Sequence, residues 1–148
     1  MSSIADNIGS VTRRIQKATL QAGREPGAVH LLAVSKTRPP EDLREAFAAG
    51  QHAFGENYLQ EALEKIEALS DLNGLEWHFI GPIQSNKTRQ MASAFSWVHS
   101  VDRLKIARRL SEQRDPALPP LNICLQVNIN EEDSKSGCTL GELPDLVA

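Results

Sequence analysis

The 148 residues read as an α/β chain built on a parallel sheet. Three observations predict this. Five short strand-like runs, the first of them apolar and β-branched, alternate with amphipathic helical stripes. Gly, Pro and Asn punctuate the joints. The composition, 41% apolar and 24% charged, is that of an ordinary globular domain. Strands alternating with helices imply right-handed crossovers and parallel pairing. Two architectures satisfy the pattern: an open doubly wound sheet, or a (β/α)8 TIM-type barrel. No G-x-G-x-x-G follows the first strand and no G-x-x-x-x-G-K-[ST] occurs, which disfavours a dinucleotide fold and a P-loop.

Each element has its own signal. Ile4, Ile8, Val11, Ile15, Ala18 and Ala22 recur at steps of three and four, predicting a helix that Gly23 ends in the left-handed conformation. VHLLAVSKT (29–37) is the first strand. Pro39 and Pro40 open a helix holding Leu43, Ala46 and Phe47, closed by Gly50. HAFGEN (52–57) is the second strand, and Leu59, Ala62, Leu63, Ile66 and Leu69 stripe the next helix. Asn73-Gly74 turns the chain into EWHFIG (76–81). Asn86 is expected to cap the helix with Met91, Ala94 and Phe95. SWVHSV (96–101) follows, and Asp102 is expected to cap the helix with Leu104, Ala107 and Leu110. Pro116, Pro119 and Pro120 separate that helix from LNICLQVNIN (121–130). After the polar loop EEDSKSG, Thr139 and Glu142 have capping-box spacing for a further helix, although Pro144 sits oddly in that register.

Charge and composition exclude several functions. A net charge of −3 with mixed signs lacks the concentrated basic surface that nucleic acid requires. No apolar run approaches the roughly 18–20 residues of a membrane span. The N-terminus MSSIADNIGS lacks a basic patch followed by an apolar run, so no secretory signal is expected. Two cysteines, Cys124 and Cys138, do not make a disulfide framework, and a reduced cytoplasmic setting is the expectation.

In either architecture function lies at the carboxyl ends of the strands. Ser35-Lys36-Thr37, Gly55-Glu56-Asn57, Gln84 to Lys87, Ser100 with Asp102, and Asn128 with Asn130 fall there. Leu32, Val34 and Lys36 share one strand face. If that face is a barrel lumen, desolvation among apolar neighbours favours the free Lys36 amine, which attacks an aldehyde. The same spacing suits a lysine whose stem packs at a strand end with its head in water. Asn57 fits either a ligand contact or a helix cap. Asn128 and Asn130 on one face favour a polar cavity, because two unpaired core amides are costly. Lys135 reads as a solvated loop charge or as a lid residue over the same mouth. His78 and His99 lack H-x-x-x-H, H-E-x-x-H or C-x-x-C partners and read as hydrogen-bonded interior histidines, not metal ligands. Trp77, Phe79, Phe95 and Trp97 read as packing, Cys124 as buried and Cys138 as the more exposed thiol.

HLLAVSKT, FGENYLQEALEKI, EWHFIGPIQSNK, VHSVDR and LQVNINEEDSKSG, in this order, resemble the pyridoxal phosphate homeostasis protein family, in its bacterial cytoplasmic branch. The resemblance runs from the first helix to the chain end. It implies the (β/α)8 barrel of the alanine racemase N-terminal domain, with an extra N-terminal helix. It implies pyridoxal 5′-phosphate held as a Schiff base on Lys36 of A-V-S-K, with Asn57 facing the cofactor and Lys135 as a secondary cofactor-handling residue. The implied role is carrying, buffering and delivering the cofactor, with apo-enzymes that use it as recipients, and so maintaining vitamin B6 and amino-acid pools without efficient catalysis. The alternative is a racemase-type enzyme on the same fold. The chain's one tyrosine, Tyr58, and the lack of a second domain in it count against that alternative. The family barrel is generally monomeric.

Length bears on this expectation. Strand starts near 31, 53, 76, 96 and 121 are about 23 residues apart, so eight units with an N-terminal helix need roughly 210 residues. Residues 1–148 are therefore expected to be one barrel domain, incomplete at its C-terminus, covering about five βα units. The phosphate cup of such barrels is usually built after strands seven and eight, and the family also takes the group near the pyridine nitrogen from late segments. Five units alone would leave strand edges open to association.

Overall fold

The computed structural model describes residues 2–130 and 132–148. Helix α1 (Ile4–Gln21) comes first, then β1 (Ala33–Val34), α2 (Pro40–Ala48), β2 (Ala53–Glu56) and α3 (Leu59–Ala68). Strand β3 (Glu76–Phe79), α4 (Thr88–Ala94), β4 (Trp97–Val101), α5 (Leu104–Gln113), β5 (Asn122–Leu125) and α6 (Leu143–Val147) complete the order. The strands form one sheet in the order β1-β2-β3-β4-β5, and every neighbouring pair is parallel. A doubly wound sheet reverses its strand order at a switch point. Here the order follows the chain without reversal, as in a barrel segment, which resolves the two architectures.

Same-handed crossovers put the helices on one side of the sheet. Phe54, Trp77, Phe79 and Val98 on the strands pack against Leu43, Ala62, Leu69, Met91, Ile106 and Leu110 on or beside the helices. Burying each large apolar side chain contributes about 1.5–3 kcal/mol. The other sheet face carries Leu32, Gly55 and Ile80, since a Cβ on Gly55 would lie 3.1 Å from Ile80 Cδ1 and 3.4 Å from Leu32 Cδ2.

Several boundaries depart from the sequence expectations. The first strand narrows from 29–37 to Ala33–Val34, the two residues that pair with Phe54 and Gly55 of β2. The fifth ends at Leu125, beyond which Val127 makes an isolated parallel bridge with Cys138. Ser3 caps α1 in a capping box with Asp6, and Gly23 ends it at φ 71°. Its packed stripe includes Ile4, Ile8 and Ile15 and the buried Thr19, whereas Val11 and Ala18 face out. The apolar stripe is thus rotated, and Thr19 satisfies its hydroxyl on Ile15 O at 2.6 Å.

Asn86 does not cap α4. It lies in a 3-10 turn, Ser85–Lys87, and no side chain caps the helix. Asp102 does not cap α5 either: its Oδ2 accepts the Gly137 N–H at 3.3 Å, tying the end of β4 to the loop after β5. Thr139 and Glu142 do exchange the expected bonds, Thr139 N–H donating to Glu142 Oε1 (3.0 Å) and Glu142 N–H to Thr139 Oγ1 (3.1 Å), but they close a turn: α6 begins only at Leu143, with no side-chain cap. Pro144 then falls in the first turn of α6, where no N–H is needed. The two thiols exchange their expected environments. Cys138 is buried by its bridge to Val127, and Cys124 is only half-buried.

Candidate functional site

Parallel strands bring the residues after β1, β2, β3 and β5 to one end of the sheet. Lys36 lies two residues past the end of β1, and Asn57 directly follows β2. Lys135 arrives on the loop after β5.

Lys36 is exposed, so the apolar cover expected around it is absent among the described residues. Alternation sends it to the face opposite Ser35, which is 4% exposed. Behind it lies a cluster the sequence reading missed. Glu56, fully buried at the end of β2, pairs with Lys65 of α3, itself 3% exposed. Lys65 Nζ donates to Glu56 Oε1 and Oε2 at 3.1 and 3.0 Å, to Glu61 Oε1 at 2.8 Å and to the Ser35 carbonyl at 2.6 Å. Ser35 Oγ donates to Glu56 Oε2. Glu61 Oε1 also accepts the Thr37 N–H at 2.5 Å. Thr37 is the one non-glycine with positive φ among the described residues, at 63°. Lys65 and the Thr37 amide hold the Glu61 carboxyl below its usual range, against the opposing effect of desolvation. A signal was present: Glu56 shares strand parity with Phe54, and Lys65 falls within the apolar stripe of α3. Charges on two core-facing stripes must pair.

Asn57 is half-buried, and its Oδ1 is buried with no hydrogen-bond partner among the described residues. Its backbone presses on Gly81, where a Cβ would lie 2.2 Å from Asn57 O. Asn57 borders a cleft of about 420 Å³ that also has Tyr58, Gln84, Lys87 and Gln90 on its walls.

Across the middle of the sheet, His78 Nε2 lies 2.6 Å from Glu76 Oε1 and His78 Nδ1 lies 2.8 Å from His99 Nε2. The carboxylate can only accept, so it keeps the proton on Nε2 of His78. A proton on either ring nitrogen makes the bond between His78 Nδ1 and His99 Nε2. Trp97 stacks on His78 at 5.5 Å. Burial, with the neighbouring His78 second, pushes the His99 ring below its ordinary value. The histidines are interior and hydrogen-bonded, as expected. Among the described residues no cluster of three His, Cys, Asp or Glu side chains is disposed to hold a metal ion.

Asn128 does not line a polar cavity. Its Oδ1 accepts the Glu132 N–H at 3.2 Å, and its Nδ2 donates to Glu132 O (2.8 Å) and Lys135 O (3.3 Å). Its amide is spent on closing its own loop. Asn130 is exposed. Lys135 is an exposed cation on this braced loop. No helix among the described residues is long and apolar enough to cross a membrane.

The chain is similar to several known proteins. The chain is 65% identical over 146 residues to the pyridoxal phosphate homeostasis protein of Pseudomonas aeruginosa, covering 99% of this chain and 63% of that protein. It is 52% identical over 150 residues to the protein of the same name from Escherichia coli, covering 64% of it. The structure of PipY from Synechococcus elongatus with pyridoxal phosphate bound superposes with a TM-score of 0.73 at 41% identity, over 88% of this chain and 62% of PipY. A protein of unknown function from Bifidobacterium adolescentis superposes at 0.84 with 33% identity, over 97% of this chain and 62% of its own. The chain therefore spans less than two-thirds of the length of each of these relatives. Its residues 7–148 match the family described as alanine racemase, N-terminal domain, and the chain belongs to that family.

Proposed function

We propose that the protein carrying this chain binds pyridoxal 5′-phosphate on Lys36 and acts as a carrier and buffer of the cofactor. In this reading it supports vitamin B6 and amino-acid homeostasis, passes cofactor to apo-enzymes, and does not turn substrates over efficiently. Residues 1–148 contribute to a single cofactor-binding barrel domain. The observation that carries the reading is the placement of Lys36, an exposed primary amine just past the carboxyl end of β1, in a chain 65% identical to a pyridoxal phosphate homeostasis protein.

The residues present suit such a ligand. Lys36 supplies the amine that condenses with an aldehyde, forming a C=N bond and releasing water. Asn57 Oδ1, an acceptor without a partner among the described residues, is available to a ligand donor. Lys135 is a cation at the same end of the sheet and complements a phosphate. The cofactor would supply the aldehyde that Lys36 captures and an electron-withdrawing ring.

The test is intact mass before and after pyridoxal phosphate and borohydride, followed by peptide mapping. Hydride addition to the C=N bond leaves a stable secondary amine. The expected result is one cofactor fixed on Lys36 and none on that peptide in Lys36→Ala. A Lys36→Ala protein that keeps the full visible band overturns Lys36 as the anchor. Deuterium exchange at an amino acid's α-carbon at enzymatic rates overturns the non-catalytic reading in favour of a racemase-type enzyme.

A further inference from the structure

We infer that Lys65 and Glu61 of α3, with Glu56 of β2, are positioning residues for Lys36; this rests on the reading of Lys36 as the cofactor lysine. The two peptide groups that flank Lys36 are both held by side chains of one helix. The Ser35 carbonyl, in the peptide before Lys36, accepts from Lys65 Nζ at 2.6 Å. The Thr37 N–H, in the peptide after it, donates to Glu61 Oε1 at 2.5 Å. Lys65 Nζ lies 2.8 Å from that same Glu61 oxygen and 3.0 Å from Glu56 Oε2, so the two grips are one connected network.

A staple joining α3 to β2 would need only the Glu56–Lys65 pair. The additional bonds go to the backbone on either side of Lys36. They also hold Thr37 at φ 63°, a left-handed conformation that a β-branched residue rarely adopts. Such a conformation persists where surrounding bonds over-determine it. With φ and ψ of Lys36 fixed from both sides, only its side-chain torsions remain to be ordered on binding. A smaller ordering cost favours formation of the C=N bond.

The experiment uses the full-length protein and the variants Glu61→Ala and Glu61→Gln. Glu61 lies in the first turn of α3 with its side chain 29% exposed, a position that tolerates substitution. Pyridoxal phosphate binding is titrated by the visible band and fixed with borohydride on Lys36, and hydrogen exchange at the Thr37 amide is followed by NMR. In Glu61→Ala, exchange at Thr37 is expected to rise and binding to weaken, each about tenfold, as befits one lost charge-assisted hydrogen bond. Glu61→Gln, which keeps an acceptor oxygen for Thr37, recovers most of the exchange protection and of the affinity. The inference is overturned if Glu61→Ala binds as wild type, or if exchange at Thr37 is unchanged. If wild type itself takes up no cofactor on Lys36, the functional reading fails, and with it the inference. If wild type is labelled and Glu61→Ala is labelled with equal affinity, only the positioning role fails.

Discussion

Lys65 Nζ on α3 lies 3.0 Å from Glu56 Oε2 on β2, and the two side chains are only 4% and 0% exposed. Two opposite charges with almost no water between them are stable only as a pair, because each alone would be an uncompensated buried ion. Lys65→Met is therefore expected to destabilise the fold by roughly 3–5 kcal/mol. Adding Glu56→Leu should restore most of that loss, since removing both charges ends the desolvation cost. Denaturant unfolding of the two variants checks this. A double variant no more stable than Lys65→Met alone would show that the Ser35 contacts, not the ion pair, dominate.

Gly81 and Asn57 make the next prediction. A Cβ at Gly81 would fall 2.2 Å from Asn57 O and 2.9 Å from Asn57 Cα, so backbone must move. Gly81→Ala should cost at least about 1–3 kcal/mol, the range for overpacking. Gly55→Ala provides the comparison, because there the Cβ meets the flexible end of Ile80 at 3.1 Å. Thermal unfolding should place Gly81→Ala clearly below Gly55→Ala, and the reverse order would contradict the close approach of Asn57.

The His99 ring should make stability fall on acidification. Its folded value lies below the ordinary 6.5 through burial and the adjacent His78. The unfolded chain then binds a proton more readily than the folded one, so stability is intact above about 6.5 and declines as pH drops below it. Glu61 acts in a lower window: its folded value lies below 4.5, so its contribution is present above 4.5 and is lost as pH falls further. Melting temperature followed from pH 8 to 5 should fall on the acid side in wild type, and His99→Gln should flatten this decline. An equal slope in the variant would assign the decline to another group.

Much of the fold was legible because it rests on periodicity. Alternating strands and helices, and the glycines at 23 and 50 that close α1 and α2, are local features, and the structure contains them; the Thr139–Glu142 bonds also form, but one turn ahead of α6. Signals that depend on what arrives from elsewhere were read differently. Asp102 has the residue type of a helix cap, yet its oxygen accepts the amide of Gly137, 35 residues away. Asn128 looked like a cavity residue, yet its amide is consumed within its own loop. Hydrogen-bond capacity is written in the residue type, but the partner that claims it is set by chain geometry.

The candidate site divides in the same way. The α/β class, the alternation of five strands with helices and the position of Lys36 at a strand end follow from residue order alone, because parity and turn chemistry act over a few residues. The barrel order of the sheet, the exposure of Lys36 and the convergence of Glu56, Glu61 and Lys65 on the peptides beside it come from how the chain packs. The physical reason is that strand pairing and helix docking bring residues 35, 56 and 65 together across separate elements. A buried charge can be read from one element alone, whereas its neutralising partner depends on how the elements pack.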